Sequence, residues 1–260
     1  MLIFLKLGGS LLTHKDQPRT VRPEVLARLM DEIAAARAAA PGLRLVLGHG
    51  SGSYGHVEGK KHGTRQGAHT LAQWRGLAEV QYAAGLLNRL VVDAAWAAGV
   101  PVLNVPPSAS ALCVDGVLVS LAVAPVQAAL EHGLAPLVFG DVALDEVRGG
   151  TIVSTEDVFG YLAAALRPER VLLAGLEPGV LTRFPEGEVL PQIAPGARLA
   201  AVGGAQGYDV TGGMASKVAQ MQALAVSVPG LEVRIFSGET PGVLRATLLG
   251  EVAPGTVIRA

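Results

Sequence analysis

The chain has 260 residues, of which half are apolar and 17% are charged, a balance that supports a large core and excludes wholesale disorder. The formal net charge of −1 argues against nucleic acid or a membrane surface as a partner, because proteins that bind those usually carry a basic excess. The one cysteine, Cys113, excludes an internal disulfide and a cysteine-based zinc site.

Membrane and export segments are not predicted. No apolar run approaches the roughly 18–20 residues that cross a bilayer. The N-terminal residues lack the basic region and the small-residue cleavage site of a secretory signal. We therefore expect a cytoplasmic protein.

Short apolar runs alternate with helical patterns along the chain. The predicted strands cover residues 2–7, 43–47, 102–105, 134–139, 170–173 and 232–236. The predicted helices, most of them with an apolar stripe at helical spacing, cover residues 23–40, 70–98, 125–132, 156–166 and 213–228. Asp115-Gly116 predicts a hairpin between two short apolar runs, and Val257-Ile258 predicts an edge strand.

The strands are continuous apolar runs, which is typical of a parallel sheet covered on both faces. The sequence therefore predicts an α/β protein with three layers, in which helices cover both sides of a central, mostly parallel sheet. No internal repeat, low-complexity tract or linker divides the chain, so residues 1–260 are predicted to form a single domain.

Glycine-bearing loops follow four of the predicted strands, and a fifth glycine pair opens a helix. These loops are Gly8-Gly9-Ser10, Gly48–Gly55, Gly140-Asp141, Ser237-Gly238 and Gly212-Gly213. Ligands of open α/β sheets bind at the carboxyl ends of strands, and glycine lets an anion approach the backbone closely. Any one loop needs no ligand to explain it, but together they predict a site for several phosphates.

Lysine is scarce, with five among 21 basic residues, and three of the five lie near glycine pairs. These three are Lys6, Lys15 and Lys217. Because lysine is a compact point charge, unlike the planar arginine fork, each is a candidate for contact with a phosphate.

Two common nucleotide motifs are tested first. The only Gly-Lys pair, Gly59-Lys60, is not followed by Ser or Thr, so there is no Walker A loop. Gly50-x-Gly52-x-x-Gly55 matches the dinucleotide fingerprint, but the acidic residue expected about 20 positions later is Glu79, inside a predicted helix. A Rossmann oxidoreductase therefore stands as a weaker alternative.

Four sequence blocks follow one another along the chain: Lys6-Leu7-Gly8-Gly9-Ser10, Gly50-Ser51-Gly52-Ser53-Tyr54-Gly55-His56, Gly140-Asp141-Val142, and Asp209-Val210-Thr211-Gly212-Gly213-Met214 with Lys217. Together they resemble the amino acid kinase superfamily, and within it the isopentenyl phosphate kinases. The first and last blocks mark the superfamily. The histidine that ends the second block is more specific, because within the superfamily it is a feature of isopentenyl phosphate kinases and fosfomycin kinases.

The resemblance implies the amino acid kinase fold and transfer of the ATP γ-phosphoryl group to isopentenyl phosphate in isoprenoid precursor synthesis through a mevalonate-type branch. The N-terminal part, roughly residues 1–165, would bind the acceptor, and residues 166–260 would bind the nucleotide. Mg²⁺ would bridge the ATP phosphates, with no protein ligand assigned to it. The resemblance also implies a homodimer.

The implied roles fall into three groups. His56, Lys15 and Lys6 would be catalytic, with His56 holding the acceptor phosphate in line. The implied ATP-binding residues are Lys6, Gly8, Gly9, Ser10, Gly52, Gly175, Glu177, Gly213 and Lys217. The implied acceptor-binding residues are Ser51, Gly52, His56 and Thr155. His14, His49 and His62 are interpreted as loop or supporting residues.

The acceptor's five-carbon tail calls for an apolar pocket. The long helix that bears Tyr82, Ala83, Leu86 and Leu87 follows the acceptor loop and is a candidate wall, although each of these residues fits a plain core role equally well.

The sequence departs from the family pattern at two places. Ser154-Thr155-Glu156-Asp157 stands for the family's Ser-Gly-Asp-Asp, and Ala174–Val180 stands for its Thr-Asp-Val-Asp-Gly-Val. These changes keep two alternatives open: a related kinase that phosphorylates fosfomycin or a nucleoside monophosphate, and a non-catalytic binder of nucleotides or oxyanions.

Overall fold

Two sheets organise the computed structural model, which describes residues 1–183, 186–194 and 213–259. The described strands are β1 Leu2–Leu7, β2 Arg44–His49, β3 Val102–Asn104, β4 Leu112–Val114, β5 Val117–Ser120, β6 Ala135–Phe139, β7 Asp141–Asp145, β8 Gly149–Val153, β9 Arg170–Gly175, β10 Gln192–Ile193, β11 Glu232–Ser237 and β12 Thr256–Ile258. The described α-helices are α1 Gly9–Leu12, α2 Pro23–Ala39, α3 Gly52–His62, α4 Leu71–Ala97, α5 Ala124–Glu131, α6 Thr155–Leu166, α7 Gly213–Ser227 and α8 Val243–Leu249.

The large sheet has the strand order β10-β12-β11-β9-β1-β2-β6-β3, and every neighbouring pair is parallel except β11 with β12. The predicted fold class is therefore confirmed. The strand at Val257-Ile258 exists, but the prediction that it lies at an edge is wrong: β12 lies between β10 and β11.

Side chains of β1 alternate between two cores. Leu2 and Phe4 pack on one face of the sheet with residues of α5, α6 and α7. Ile3, Leu5 and Leu7 pack on the other face with residues of α2, α4 and α8. Successive side chains of a strand point to opposite faces, so a strand covered on both sides is apolar on both, and Lys6 near the end of β1 is the exception.

The small sheet, in the order β5-β4-β7-β8, lies beside α4. The hairpin of β4 and β5 at Asp115-Gly116 agrees with the prediction, whereas β7 and β8 were not predicted. Val142 of β7 and Ile152 of β8 form a separate apolar cluster with Leu77 and Val80 of α4. This cluster places an apolar surface next to the carboxyl ends of the large sheet.

No helix within the described ranges is both long enough and apolar enough to cross a membrane.

Candidate active site

One pocket at the carboxyl ends of the large sheet brings together every predicted site residue except Gly213. The predicted residues that line it are Lys6, Gly8, Gly9, Ser10, Lys15, Ser51, Gly52, His56, Thr155, Gly175, Glu177 and Lys217. Gly213 lines an adjoining pocket that shares Ser154, Glu156 and Lys217 with the first. The motif residues Asp209–Gly212, which precede Gly213, lie outside the described residues.

The loop after β1 leads directly into α1. The Gly8 N–H donates to the Ala174 carbonyl at 2.8 Å, which ties this loop to the end of β9. Gly9 and Ser10 begin α1, and the first N–H groups of a helix have no acceptor within the helix. Their N–H groups therefore suit an anion in the pocket.

The loops after β1 and β2 touch backbone to backbone. A Cβ atom on Gly9 would lie only 2.3 Å from the Gly52 nitrogen. Gly52 has a φ of +50°, and a Cβ atom there would lie 2.4 Å from Thr13 Oγ1. Only glycine fits at both positions, and its use brings the two loops into contact.

A hydroxyl group fixes this contact. Thr13 Oγ1 donates to the Gly9 carbonyl at 2.8 Å and accepts from the Ser53 N–H at 3.0 Å. Thr13 thereby connects α1 to α3, and its side chain is buried beside both loops.

A buried carboxylate joins two of the predicted lysines. Lys6 Nζ donates to Glu156 Oε1 at 2.8 Å, and Lys217 Nζ lies 3.9 Å from the same oxygen. Burial alone raises the pKa of Glu156, but the charges of Lys6 and Lys217 and the hydrogen bond from Lys6 outweigh it and hold the pKa below its usual value. The carboxylate is thus ionised and holds Lys6 at the pocket.

Thr155 lies in the pocket wall with its side chain turned into the protein. It is 1% exposed, and its hydroxyl donates to the His49 carbonyl at 2.7 Å. Its methyl group lies against Gly48, where a Cβ atom would approach it to 2.6 Å. The hydroxyl is therefore already bonded to the backbone, whereas the backbone of Thr155 remains at the pocket.

Three further predicted residues lie at the start of α3 and at the end of β9. His56 is half-buried in the first turns of α3, a helix that begins after Ser51. Gly175 ends β9 and accepts a hydrogen bond from the Gly238 N–H at 2.9 Å, and Glu177 follows it, half-buried. The pocket thus joins a part next to β1, β9 and α7 with a part next to α3 and α4.

Comparisons with known proteins show the family to which the chain belongs. The sequence profile of the amino acid kinase family matches residues 1–237. The chain belongs to this family. It is 41% identical to an isopentenyl phosphate kinase of Haloferax volcanii, covering 99% of this chain and 98% of that protein. It is 33% identical to an isopentenyl phosphate kinase of Methanothermobacter thermautotrophicus, with the same coverage.

A solved structure of isopentenyl phosphate kinase also superposes on this chain with a TM-score of 0.86, at 30% identity, covering 99% of this chain and all of the other. The relatives place this amino acid kinase in the branch of the isopentenyl phosphate kinases, and it is a phosphotransferase. The oxidoreductase alternative does not hold. Glu79 lies within α4, half of its side chain is exposed, and it pairs with Lys61 and His62.

Two acidic residues of this kinase's pocket, Glu156 and Asp141, were named in the sequence motifs but were given no role. Glu156 was noted only as a departure from the family block. Its position as an acidic residue between Ser154 and Asp157, at the start of a predicted helix, could have indicated a role in the site. Asp141 is 1% exposed and accepts from the Ser108 N–H at 3.0 Å. Burial raises the pKa of Asp141, and its hydrogen bonds with Ser108 and the Val142 N–H oppose this only in part.

The apolar wall of the pocket also differs from the prediction. Val57, Val80, Ala84 and Ile152 line it. Tyr82 points to solvent, whereas Ala83 is buried and does not line the pocket. Leu86 and Leu87 pack into the core between α4 and the large sheet. The prediction that these two leucines form the pocket wall is wrong: Leu87 shares a helix face with Val80 and Ala84 but lies farther along α4, where that face meets the core, and Leu86 lies on another face.

Proposed function

We propose that this kinase transfers the γ-phosphoryl group of ATP to the phosphate of isopentenyl phosphate and releases isopentenyl diphosphate and ADP. The observation that carries the proposal is the single pocket in which two glycine loops touch, with lysines at one part and an apolar wall at another. Such a pocket suits two phosphate-bearing substrates, one of which has an apolar tail. The names and coverage of the relatives support the same assignment.

Positioning and charge neutralisation are the main tasks in phosphoryl transfer. In the proposed mechanism Lys6 contacts the transferring phosphoryl group and Lys15 stabilises its developing charge. His56 donates to the acceptor phosphate and holds it in line, together with the loop of Ser51 and Gly52. Gly8, Gly9 and Ser10 donate N–H groups to the ATP phosphates, which Lys217 also contacts.

Glu156 prepares the site for this charge. It lies against Lys6 and Lys217 and fixes both ammonium groups before substrate arrives. Its negative charge also keeps the two cations from repelling each other. A preorganised pair of cations needs little rearrangement when negative charge builds up in the transition state.

Mg²⁺ would fit this site as a partner of the ATP phosphates. Of the carboxylates that line the pocket, Glu156 accepts a hydrogen bond from Lys6 and Asp141 accepts from backbone N–H groups, whereas Glu177 lies half-buried after β9. Mg²⁺ commonly keeps several waters and binds through phosphate oxygens. When bound there, it would neutralise part of the charge of the phosphates.

The five-carbon tail of the acceptor would lie against Val57, Val80, Ala84 and Ile152. No polar group is needed there, since the tail has none to recognise. Within one domain we assign residues 1–165 mainly to the acceptor and residues 166–260 mainly to the nucleotide. Because the reaction consumes ATP and makes an isoprenoid precursor, we place it in the cytoplasm, in a mevalonate-type branch.

A homodimer is part of the proposal. β3 lies at one end of the large sheet, and Leu103 on it is 40% exposed. Trp96, near the end of α4, is 59% exposed. Exposed apolar side chains beside an open sheet edge are typical of an interface between chains. Light scattering after size-exclusion chromatography should give twice the monomer mass, and a monomer mass would contradict this part.

A coupled ADP-release assay tests the reaction. Isopentenyl phosphate should support turnover far better than fosfomycin, UMP or acetylglutamate. Turnover without acceptor dependence would reject the proposal, and preference for fosfomycin or UMP would favour the related kinases.

His56→Ala tests the acceptor site in the same assay. It should lower kcat/KM for isopentenyl phosphate by roughly 10- to 150-fold, since it removes a hydrogen bond to a charged phosphate. The matched control is His132→Ala, at the end of α5 and away from the pocket. Unchanged kinetics in His56→Ala would refute its assigned role.

A further inference from the structure

His49 ends β2 directly before the acceptor loop, and it is fully buried. Its carbonyl accepts from the Gly140 N–H at 3.1 Å and from Thr155 Oγ1 at 2.7 Å. Its ring stacks on Phe139, with the ring centres 5.3 Å apart and the planes 3° from parallel. His49 is therefore held by its backbone, its ring face and the strand next to it.

Both ring nitrogens of His49 have a defined partner. Nδ1 lies 3.1 Å from the Gly50 carbonyl oxygen, and Nε2 lies 3.1 Å from Asn88 Nδ2 of α4. A carbonyl oxygen can only accept, so Nδ1 must carry the proton. Nε2 then accepts from the Asn88 amide. The two contacts together specify the neutral tautomer protonated at Nδ1.

The surroundings of the ring keep it neutral. Burial lowers the pKa of His49 to about 4, the hydrogen bond with Gly50 opposes this in part, and the charge of Lys6 on β1 lowers it further. The groups facing the ring from α4 and β6, Asn88 and Phe139, are uncharged. Protonation of His49 is therefore not part of the reaction at neutral pH.

The contact with Gly50 sets the direction of the next N–H group. In a planar trans peptide the carbonyl of one residue and the N–H of the following residue point in opposite directions. The Gly50 carbonyl points inward to the buried imidazole, so the Ser51 N–H must point away from it, on the side where Ser51 lines the pocket. Within the described part of the chain, no group accepts from the Ser51 N–H.

We propose that His49 is a positioning residue: its Nδ1–H holds the Gly50 carbonyl and thereby directs the Ser51 N–H at the acceptor phosphate, while Asn88 fixes the tautomer. The identity of that phosphate rests on the proposed function, whereas the tautomer and the loop geometry do not. His49 touches neither substrate and acts through the peptide bond between Gly50 and Ser51.

Nitrogen NMR of the wild-type protein with ¹⁵N-labelled histidine tests the tautomer without any activity. Comparison with the spectrum of His49→Asn assigns the signals of His49. We expect protonation at Nδ1 alone, with no titration between pH 5 and pH 8. A ring protonated at Nε2, or one that titrates in this range, would overturn the proposal.

Two substitutions at His49 then separate the hydrogen bond from the packing. The side-chain amide of His49→Asn can place a donor where Nδ1 lies, whereas His49→Leu fills similar space without a donor. His49→Leu should raise KM for isopentenyl phosphate about three- to tenfold, the range expected for one neutral hydrogen bond, with KM for ATP unchanged. His49→Asn should restore most of the loss. His132→Leu, whose Nδ1 also lies near a carbonyl but outside the pocket, should behave as wild type.

The outcomes separate this proposal from the proposed function. If His49→Leu leaves KM for the acceptor unchanged, or raises KM for both substrates equally, the positioning role fails. If His49→Leu does not fold, Asn88→Leu provides the kinetic test, because it removes the group that selects the tautomer and should raise the acceptor KM alone. If the wild-type protein shows no turnover with isopentenyl phosphate but the Nδ1 tautomer is observed, the proposed function fails and the loop geometry stands.

Discussion

Two lysines from distant parts of the sequence, Lys6 and Lys217, share the buried carboxylate of Glu156. Glu156→Gln keeps the shape of this side chain and removes its charge, so Lys6 would stay buried without a counter-charge. Breaking a buried ion pair from one side costs about 3–5 kcal/mol. We expect urea denaturation to show a loss of this size in the free energy of unfolding, together with a lower kcat.

The control for Glu156→Gln is Asp93→Asn, which breaks the exposed pair of Asp93 with Arg89. Exposed pairs contribute about 0–1 kcal/mol, so this variant should remain close to wild type in stability. Similar losses of stability in the two variants would mean that burial does not determine how much the ion pairs of Glu156 with Lys6 and Lys217 stabilise the protein.

The buried imidazole of His49 should make stability depend on pH. Its pKa is about 4 in the folded protein and 6.5 when exposed. Between these values the unfolded chain binds a proton that the folded chain does not, so the free energy of unfolding falls as pH drops from 6.5 towards 4. The fall should reach about 3 kcal/mol. Urea denaturation at several pH values measures it, and the His49→Asn curve should lack this component. Parallel curves for the two proteins would contradict the assignment.

At the level of whole elements, α4 was predicted correctly as a helix but with the wrong pocket-facing residues. Val80 and Ala84 line the pocket, whereas Leu87 is in the core. Helical periodicity shows which residues share a face, but it does not show which neighbour that face meets. The small sheet of β7 and β8, which the sequence did not reveal, contributes Ile152 to the apolar wall of the pocket.

The apolar part of the pocket, against which the tail of the acceptor is proposed to lie, should limit the length of that tail. An apolar site discriminates by about 1–3 kcal/mol per methylene, and forcing extra carbons into a packed site costs about the same. Wild-type protein should therefore use isopentenyl and dimethylallyl phosphates with modest preference and geranyl phosphate poorly. Val80→Ala should raise the ratio of kcat/KM for geranyl phosphate to that for isopentenyl phosphate by roughly tenfold.

Leu87→Ala is the control for this apolar part of the pocket. It should lower the free energy of unfolding by about 2–5 kcal/mol, because it opens a cavity in the core, without changing this ratio. A wild-type preference for geranyl phosphate, or an unchanged ratio in Val80→Ala, would contradict the position of the tail.

The helix α3 shows why part of the site could not be predicted from local sequence. Gly52, Gly55 and Gly59 disfavour a helix, and the stretch 48–55 was predicted as a loop. A Cβ atom on Gly55 would lie 2.6 Å from Ser51 Cβ, so the close packing at the start of the helix requires this glycine. The sequence correctly indicated that these glycines allow close packing of the backbone. The tertiary contacts that stabilise them in a helix are not visible in the sequence. The ends of the main strands, which depend on local pattern alone, were predicted well.

At the level of the whole molecule, β1 joins the parts assigned to the two substrates. It pairs with β2, which leads to the acceptor loop, and with β9, which leads to Gly175 and Glu177. Its side chains also contribute to both large cores. Neither part can lose its packing without exposing β1, so we expect residues 1–165 and 166–260 to unfold together as one domain.

Calorimetry should therefore show a single transition whose calorimetric and van't Hoff enthalpies agree. A ligand that binds only the folded state at 100 times its dissociation constant should stabilise that transition by about 2.7 kcal/mol. Because the sheet is shared, an ATP analogue and isopentenyl phosphate should each raise the midpoint of the same transition, although they contact different parts of the chain. Two transitions, with each ligand shifting only one of them, would show that the halves are separate domains. In that case the contact between the loops of Gly9 and Gly52 would be an interface between domains. Gly9→Ala would then separate the two transitions further, instead of lowering the stability of the whole chain.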